Sequence, residues 1–308
     1  MTGILTITLN PAVDISSETE TVRPTRKIRT SNARHDAGGG GINVARVITA
    51  LGGDVEALFL AGGETGAMLT RLVQEEGIRC HCSPIAGQTR ISFMVYERGT
   101  RLEYRFVPEG PPVMAAELEP CLDRVSSFTG NYVVASGSLP ADAPPDVYAR
   151  MARLAAARGA RFVLDSSGAG LATTLERSRV FLVKPSRGEL EWLVGHPLDE
   201  DGIRRAAADI VTRGSAELVA VTMGADGALL ASASGTLRLP ATQVRVRSAV
   251  GAGDSFLGAM TWALSEGRTP EDALKLGMAA GAVAVMRPGT PIFRREDVLK
   301  LYGEAAAR

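Results

Sequence analysis

Cysteine, lysine, net charge and long apolar runs are all scarce in this 308-residue sequence, and each scarcity narrows what the chain can be. Three cysteines make no even set for a disulfide framework, and Cys80-His81-Cys82 lacks the paired spacing of a zinc site, so they read as packing residues or free thiols. Lys plus Arg and Asp plus Glu both total 34, so the formal net charge is +0. Such a balance offers no electrostatic footprint for nucleic acid or an anionic membrane. The longest apolar run, Leu276 to Met286, is too short to span a bilayer, and Met1 to Asn10 has no basic segment followed by a long apolar core. The expected setting is the cytoplasm and the expected partner a small molecule. No repeat, low-complexity tract or long linker divides the sequence. It contains no Gly-x-x-x-x-Gly-Lys-Ser/Thr, which excludes a P-loop, and neither the His-Arg-Asp nor the Asp-Phe-Gly of a protein kinase.

What is present is ordinary globular material, 45% hydrophobic and 22% charged, long enough for one large α/β domain or two smaller ones. After Pro112 short apolar runs alternate with helical periods: strand Tyr132 to Ala135, helix Pro145 to Arg158, strand Arg161 to Leu164, helix Gly170 to Arg177, strand Val180 to Val183, helix Gly188 to Val194. This rhythm predicts a mostly parallel sheet with helices on both faces and ligands at the carboxyl ends of its strands. The loops expected there are Gly137-Ser138-Leu139-Pro140, Asp165-Ser166-Ser167-Gly168, Lys184-Pro185-Ser186-Arg187-Gly188-Glu189 and Thr222-Met223-Gly224-Ala225-Asp226-Gly227. Each is weak alone, since turns need the same residues; together they point to a nucleotide site. Segment 15–33 and the hairpin of Ile91–Tyr96 and Leu102–Val107 fit no βαβ rhythm, so they are expected to form a separate β layer, as a lid or as a dimer surface.

Val250-Gly251-Ala252-Gly253-Asp254-Ser255-Phe256 is the most informative stretch. It follows an alternating run, Thr242 to Arg247, that reads as a strand, and it precedes a helical period at Phe256, Leu257, Met260, Ala263 and Leu264. A strand turning through two glycines into a helix leaves first-turn N–H groups aimed at an anion. An aspartate there suggests a general base beside a transferring phosphoryl group, with a plain N-cap as the alternative. The helix N-terminus is expected to depress the Asp254 pKa. Gly38-Gly39-Gly40-Gly41-Ile42-Asn43 opens another helical pattern, and its glycines would let a ligand approach the backbone, or serve as a hinge or tight turn. Asp14, just past the strand Ile4 to Leu9, could accept bonds from sugar hydroxyls or simply form a turn. Only Lys27, Lys184, Lys275 and Lys300 are lysines, so Lys27 and Lys184, away from helical surfaces, stand out as retained for a compact ammonium.

Gly38-Gly39-Gly40-Gly41-Ile42-Asn43-Val44-Ala45 and Val250 to Ser255 resemble the two signatures of the phosphofructokinase B family of ribokinase-like sugar kinases. Their separation, the Gly137, Asp165 and Lys184 loops, and the opening Thr8-Leu9-Asn10-Pro11-Ala12-x-Asp14 fit as well. The resemblance implies a ribokinase-like three-layer α/β/α sandwich, with a mostly parallel central sheet, over residues 1–308. A small β-sheet lid would come from about 12–35 and 88–108. Within the family the chain resembles the minor-isozyme type of 6-phosphofructokinase, because Gly38 to Gly41 stands where 1-phosphofructokinases resemble Gly-Lys-Gly, and Tyr104 to Val107 resembles the 6-phosphate lid. The implied reaction moves the γ-phosphoryl of ATP to the 1-hydroxyl of fructose 6-phosphate. Asp254 would be the base and Gly251, Ala252 and Gly253 with it the anion hole. Asp14, Gly38, Gly39, Gly40, Gly41 and Asn43 would hold the sugar, with Arg90, Lys27, Arg29 and Ser138 toward its phosphate. Lys184, Ser186, Thr222, Gly224, Asp226 and Gly227 would lie along the nucleotide. Glu189 would organise Mg²⁺ through water, and Val250, Ala284 and Gly289 would offer carbonyls to K⁺. A homodimer through the lid is implied too. One departure stands out: Ser186 replaces the family's Asn in Lys-Pro-Asn-x-x-Glu, which bears on Mg²⁺ affinity or ATP preference. Kinases of fructose 1-phosphate or tagatose 6-phosphate are the near alternatives, and a non-catalytic sugar-phosphate-binding protein or an NAD-dependent oxidoreductase the distant ones.

Overall fold

A computed structural model of the chain describes residues 3–286 and 294–306. All five residues of β1 (Ile4–Thr8) are buried, as expected of a strand covered on both faces. The chain then leaves for a smaller sheet through β2 (Ala12–Thr19) and β3 (Ser31–Gly38). It returns by way of α1 (Gly40–Ala50), β4 (Val55–Ala61), α2 (Gly63–Glu75) and β5 (Arg79–Pro84). A second excursion forms β6 (Arg90–Glu97) and β7 (Leu102–Phe106). Strict alternation follows in α3 (Ala115–Ser127), β8 (Tyr132–Ser136), α4 (Val147–Ala157), β9 (Arg161–Asp165), α5 (Gly168–Arg177) and β10 (Val180–Val183). Then come α6 (Arg187–Val194), α7 (Glu200–Thr212), β11 (Ala216–Thr222), and the hairpin of β12 (Ala228–Ser232) and β13 (Gly235–Leu239). The chain closes with α8 (Ala252–Ser265), α9 (Pro270–Val285) and α10 (Arg295–Ala306).

The large sheet has the order β13-β12-β11-β10-β9-β8-β1-β4-β5, parallel from β5 to β11 with an antiparallel hairpin at one edge. Side chains alternate between two separate cores. Ile4, Ala57, Phe59 and Val134 face α1, α2, α8, α9 and α10, whereas Leu5, Ile7, Leu58 and Val133 face α3 to α7. This is the three-layer sandwich expected from the alternation. β1 lies between β4 and β8, so the chain's direction across the sheet reverses at its carboxyl end, where a crevice opens. The smaller sheet has the order β3-β2-β6-β7, and it joins the two segments that fitted no βαβ rhythm. Its central pair, β2 and β6, is parallel, with Ala12 opposite Arg90 and Thr19 opposite Glu97. No helix among the described residues is long and apolar enough to cross a membrane.

One expected strand does not form. Residues 242–247 are an irregular connection, because their alternation finds no neighbouring strand and Val246 stays exposed. They are tied down at their end instead, where the Arg247 and Ser248 N–H groups donate to the Val285 carbonyl at 2.7 and 3.3 Å.

Two helices that touch set the geometry of everything that follows. A Cβ at Gly258 of α8 would lie 2.9 Å from the Val47 Cβ and 3.1 Å from the Val44 carbonyl oxygen of α1, so glycine permits the close crossing. Gly258 sits one turn after Asp254, and Val47 one turn after Asn43, so the crossing brings those two side chains together one turn along. Ser255 to Leu264 are buried all round, as befits a helix wedged between α1, α9 and the sheet. We expect Gly258→Val to lower stability by about 1–3 kcal/mol through overpacking. The readout is a lower urea midpoint at unchanged slope; an unchanged midpoint would mean that α1 and α8 can part freely.

Candidate active site

The turn before α8 behaves as an N-terminus without a side-chain cap. Gly251 is the N-cap, at φ 70°, a left-handed conformation that glycine adopts without strain, and no side chain takes the first-turn N–H groups. Asp254 lies in the first turn of the helix, so the plain N-cap alternative is excluded. Its Oδ2 instead accepts from Asn43 Nδ2 at 2.8 Å. A carboxylate is thus aimed across the crevice, beside backbone donors that suit an anion.

Three further groups complete this cluster from the ends of three parallel strands. Lys184, just after β10, is 4% exposed, and its Nζ lies 3.1 Å from Asp165 Oδ1 at the end of β9. Ser136, closing β8, donates to Asp165 Oδ2 at 3.4 Å and also bonds Asp254. Burial, with the Asp254 and Glu189 charges, pushes the Asp165 carboxyl up to about 6 against the pull of Lys184. Burial opposes the Lys184 charge, yet Asp165, Glu189 and Asp254 together hold its pKa above the ordinary lysine value. Asp254 is raised too, by burial first, although the Asn43 bond, Lys184, Arg46 and Ser136 work against it. The depression expected from the helix N-terminus is therefore reversed: loss of water around the carboxylate outweighs the dipole.

The glycine run owes its composition to the protein's own atoms. A Cβ at Gly38 would run into the Asp14 carboxylate, one at Gly40 into Ser136 Oγ, and one at Gly41 would fall 2.5 Å from the Ile7 carbonyl oxygen. Gly39, at φ 127°, is the N-cap of α1, and the Ile42 N–H donates to Thr8 Oγ1 at 3.0 Å. The four glycines thus seat α1 on β1 and β8. Asp14 is raised by burial, opposed by a Ser92 hydrogen bond and the Arg105 and Arg46 charges. It lines a small cleft, about 30 Å³, with Asp36, Ser92, Arg105 and Val250 between the smaller sheet and the α8 turn. Arg90 braces loops: its guanidinium donates to the carbonyls of Asn10 at 2.7 Å, Pro108 at 3.0 Å and Pro11 at 3.4 Å, which leaves two of its five N–H groups free of these bonds. Ser138 accepts from Asn10 Nδ2 at 3.3 Å and stays exposed. Lys27 and Arg29 lie in the exposed connection between β2 and β3, outside this cluster.

Beyond Lys184 the sheet ends carry the other residues expected along a nucleotide. Ser186 is the N-cap of α6, and it forms a reciprocal capping box with Glu189. Glu189 Oε2 accepts from Ser186 N at 2.7 Å and Ser186 Oγ at 2.9 Å. Thr222 bridges to Ser186, with its N–H donating to the Pro185 carbonyl at 3.0 Å. Gly224 and Asp226 form a 3₁₀ turn closed by Gly227, and the Asp226 carboxylate is held by Arg187 at 3.2 Å. The Arg247 and Ser248 bonds to Val285 bring the connection that ends at Val250 against the end of α9, which carries Ala284. Gly289 lies outside the described residues.

The structure also supplies residues for which the sequence analysis named no role. Asp165, Ser136, Arg46, Ser92 and Arg105 all act on Asp14 or Asp254. For Asp165 and Ser136 a signal existed, since both end parallel strands. Arg46, Ser92 and Arg105 sit in regular elements whose neighbours only the fold defines.

With this geometry in place, comparison with known proteins is direct. The chain is 43% identical over 306 residues to ATP-dependent 6-phosphofructokinase isozyme 2 of Mycobacterium tuberculosis, covering 98% of this chain and 90% of that one. It is also 36% identical to 1-phosphofructokinase of Xanthomonas campestris pv. campestris, over 86% of this chain and 85% of that one. Phosphofructokinase-2 of Escherichia coli, solved in complex with substrates and products, superposes with a TM-score of 0.93 at 35% identity, covering 98% of this chain and 99% of that one. The same E. coli enzyme has been solved with potassium and as a tetrameric inhibited form. The model of the pfkB family carbohydrate kinases matches residues 1–295, and this chain belongs to that family.

Proposed function

We propose that this kinase transfers the γ-phosphoryl of ATP to the 1-hydroxyl of fructose 6-phosphate, giving fructose 1,6-bisphosphate and ADP. The observation that carries the reading is the Asp254 carboxylate, held by Asn43 beside the uncapped N-terminus of α8. Phosphoryl transfer asks for positioning and charge stabilisation more than covalent help. Asp254 accepts the hydroxyl proton, late in the step, as bond cleavage to the leaving phosphate runs ahead of attack. The amides of Gly251, Ala252, Gly253 and Asp254 receive the transferring group. Asp14, Asn43 and the Gly38 to Gly41 backbone hold sugar hydroxyls. Arg105, exposed in the Asp14 cleft, joins Lys27, Arg29, Arg90 and Ser138 as a candidate for the sugar phosphate. Lys184, Ser186, Thr222, Gly224, Asp226 and Gly227 line the nucleotide's path.

Among the described residues no three acidic, histidine or cysteine side chains gather to hold a metal ion. That suits Mg²⁺ carried chiefly by nucleotide phosphates, with Glu189 reaching it through water. Bound there, Mg²⁺ would neutralise charge on the phosphates. Ser186 keeps the capping box closed on Glu189, so the departure from the family's Asn leaves that carboxylate oriented. The carbonyls of Val250 and Ala284, with Gly289, are candidates for K⁺, a reading supported by the potassium-bound E. coli relative.

The smaller sheet serves in this reading as a lid over the Asp14 cleft and as the surface of a homodimer. Phe93, Leu102, Phe106 and Val107 support the second role, each at least 45% exposed on β6, β7 and just beyond. A second reading, phosphorylation of fructose 1-phosphate, is favoured by the similarity to the 1-phosphofructokinases of Xanthomonas campestris and Haloferax volcanii.

We expect ATP-dependent ADP release with fructose 6-phosphate to exceed that with fructose 1-phosphate or tagatose 6-phosphate; the reverse order would overturn the substrate assignment. Asp254→Asn should lower kcat by about 10²–10⁴-fold, the usual worth of a general base, while ATP still binds by calorimetry. Near-normal turnover would remove Asp254 from that role. Because burial raises Asp254 above the ordinary aspartate value of 3.8, the base is lost on acidification earlier than an ordinary carboxylate would be. The kcat profile should therefore fall, as pH drops, through a midpoint above the usual aspartate range. Phe106→Glu should shift sedimentation toward monomer, and an unchanged boundary would place the dimer interface elsewhere.

A further inference from the structure

Asn43 has two polar ends, and only one can satisfy Asp254. Its Nδ2 donates to the Asp254 carboxylate at 2.8 Å, while its Oδ1 accepts from Arg46 Nη1 at 2.5 Å. With the amide turned over, an oxygen would face a carboxylate and an NH₂ group a guanidinium, so two attractions would become two repulsions. Arg46 is itself fixed from two further sides. Its Nε and Nη2 donate to Glu76, just past α2, at 2.5 and 2.7 Å, and Nη2 also donates to the Ala37 carbonyl at 2.8 Å. Ala37 is next to Gly38, against which the Asp14 carboxylate lies. The Arg46 side chain is 13% exposed; its bonds to Asn43 and Ala37 are partly buried, whereas those to Glu76 lie at the surface, where the two-pronged geometry fixes the guanidinium.

We infer that Arg46, anchored by Glu76, is a positioning residue that sets which way the Asn43 amide faces and so aims the Asp254 carboxylate at the acceptor hydroxyl. The inference rests on Asp254 as the base. Four elements present charged or bonding groups to Asp254: Arg46 and Asn43 from α1, Ser136 from β8, Asp165 from β9, and Lys184 beyond β10. Lys184 is paired with Asp165 and Arg46 with Glu76, but Arg46 is the cation that acts on both Asp14 and Asp254. Through Ala37 it also ties the smaller sheet to the base.

Arg46→Met keeps the length and apolar bulk of the side chain and removes its charge and donors. We expect kcat to fall about 10- to 100-fold, as small misplacements of reacting groups do, with the KM for fructose 6-phosphate within about threefold of the parent. The acid limb of the kcat profile should move to higher pH, because a cation favouring the ionised carboxylate is gone. Arg46→Lys should restore the limb and part of kcat, and Glu76→Gln should lower kcat less than Arg46→Met does. A folded Arg46→Met enzyme with unchanged kcat and limb overturns the inference. If thermal melting shows that variant unfolded, unchanged kcat in both Arg46→Lys and Glu76→Gln overturns it instead. In an Asp254→Asn background, Arg46→Met should cost nothing further. An active Asp254→Asn enzyme would strike at the base reading itself, so the two failures are distinguishable.

Discussion

The contact of α1 with α8 at Val47 and Gly258 is the constraint from which the site follows. A side chain at position 258 would separate the helices, and Asn43 could then no longer reach Asp254 one turn away. Both helices begin at glycine caps beside the crevice at the carboxyl ends of β1 and β8. Their N-termini converge on the point where the sheet changes direction, and at α8 no side chain caps the first-turn N–H groups. A large parallel sheet supplies the rigid base for such a convergence; the glycines supply the closeness.

Electrostatics then decides which groups can react. Asp14, Asp165 and Asp254 all lie in partly dry surroundings, and burial lifts each carboxyl above its usual range. Cations matched to them keep the cluster from simply taking up protons: Lys184 against Asp165, Arg46 against Asp254, Arg105 and Arg46 against Asp14. A carboxylate with a raised pKa takes a proton more readily than a helix-stabilised one would, which suits the base role proposed for Asp254. The retained lysine fits this picture. Lys184 is buried against Asp165 and feels the charges of Glu189 and Asp254, where a compact ammonium fits in place of a planar guanidinium.

The smaller sheet is connected to this centre by specific bonds. Ser248 donates to Glu103 of β7 at 3.1 Å and accepts from the Val250 N–H at 3.2 Å, so the turn before α8 is tied to the sheet that faces it. Arg90 links the start of β6 to the loop after β1 through the Asn10 and Pro11 carbonyls, and to the chain after β7 through that of Pro108. That sheet is thereby held at both ends of the crevice, beside the loop that precedes Asp14 and at the turn before α8.

The layer architecture was legible in the sequence, because alternating apolar runs and helical periods from Tyr132 onward permit little but a covered parallel sheet, and the turn through Gly251 and Gly253 marked where an anion could sit. Asp254 was legible as chemistry because it follows a turn through two glycines, Lys184 because lysine is scarce in this chain, and Asn43 only through the family resemblance. Alternation at 242–247 misled, since period two is satisfied only where a neighbouring strand exists, and here none does. Arg46 and Ser92 gave no local signal, and Arg105 was marked only as part of a lid-like stretch, for an arginine in a helix or a polar residue in a strand reads as surface until the fold shows what it faces. The tertiary structure alone decided that the four glycines make room for Asp14, Ser136 and β1, that Asp254 bonds a side chain 211 residues away, and that burial outweighs the helix dipole at its carboxylate. Each depends on the distance between atoms far apart in the chain and on the water their packing excludes, neither of which a linear pattern encodes.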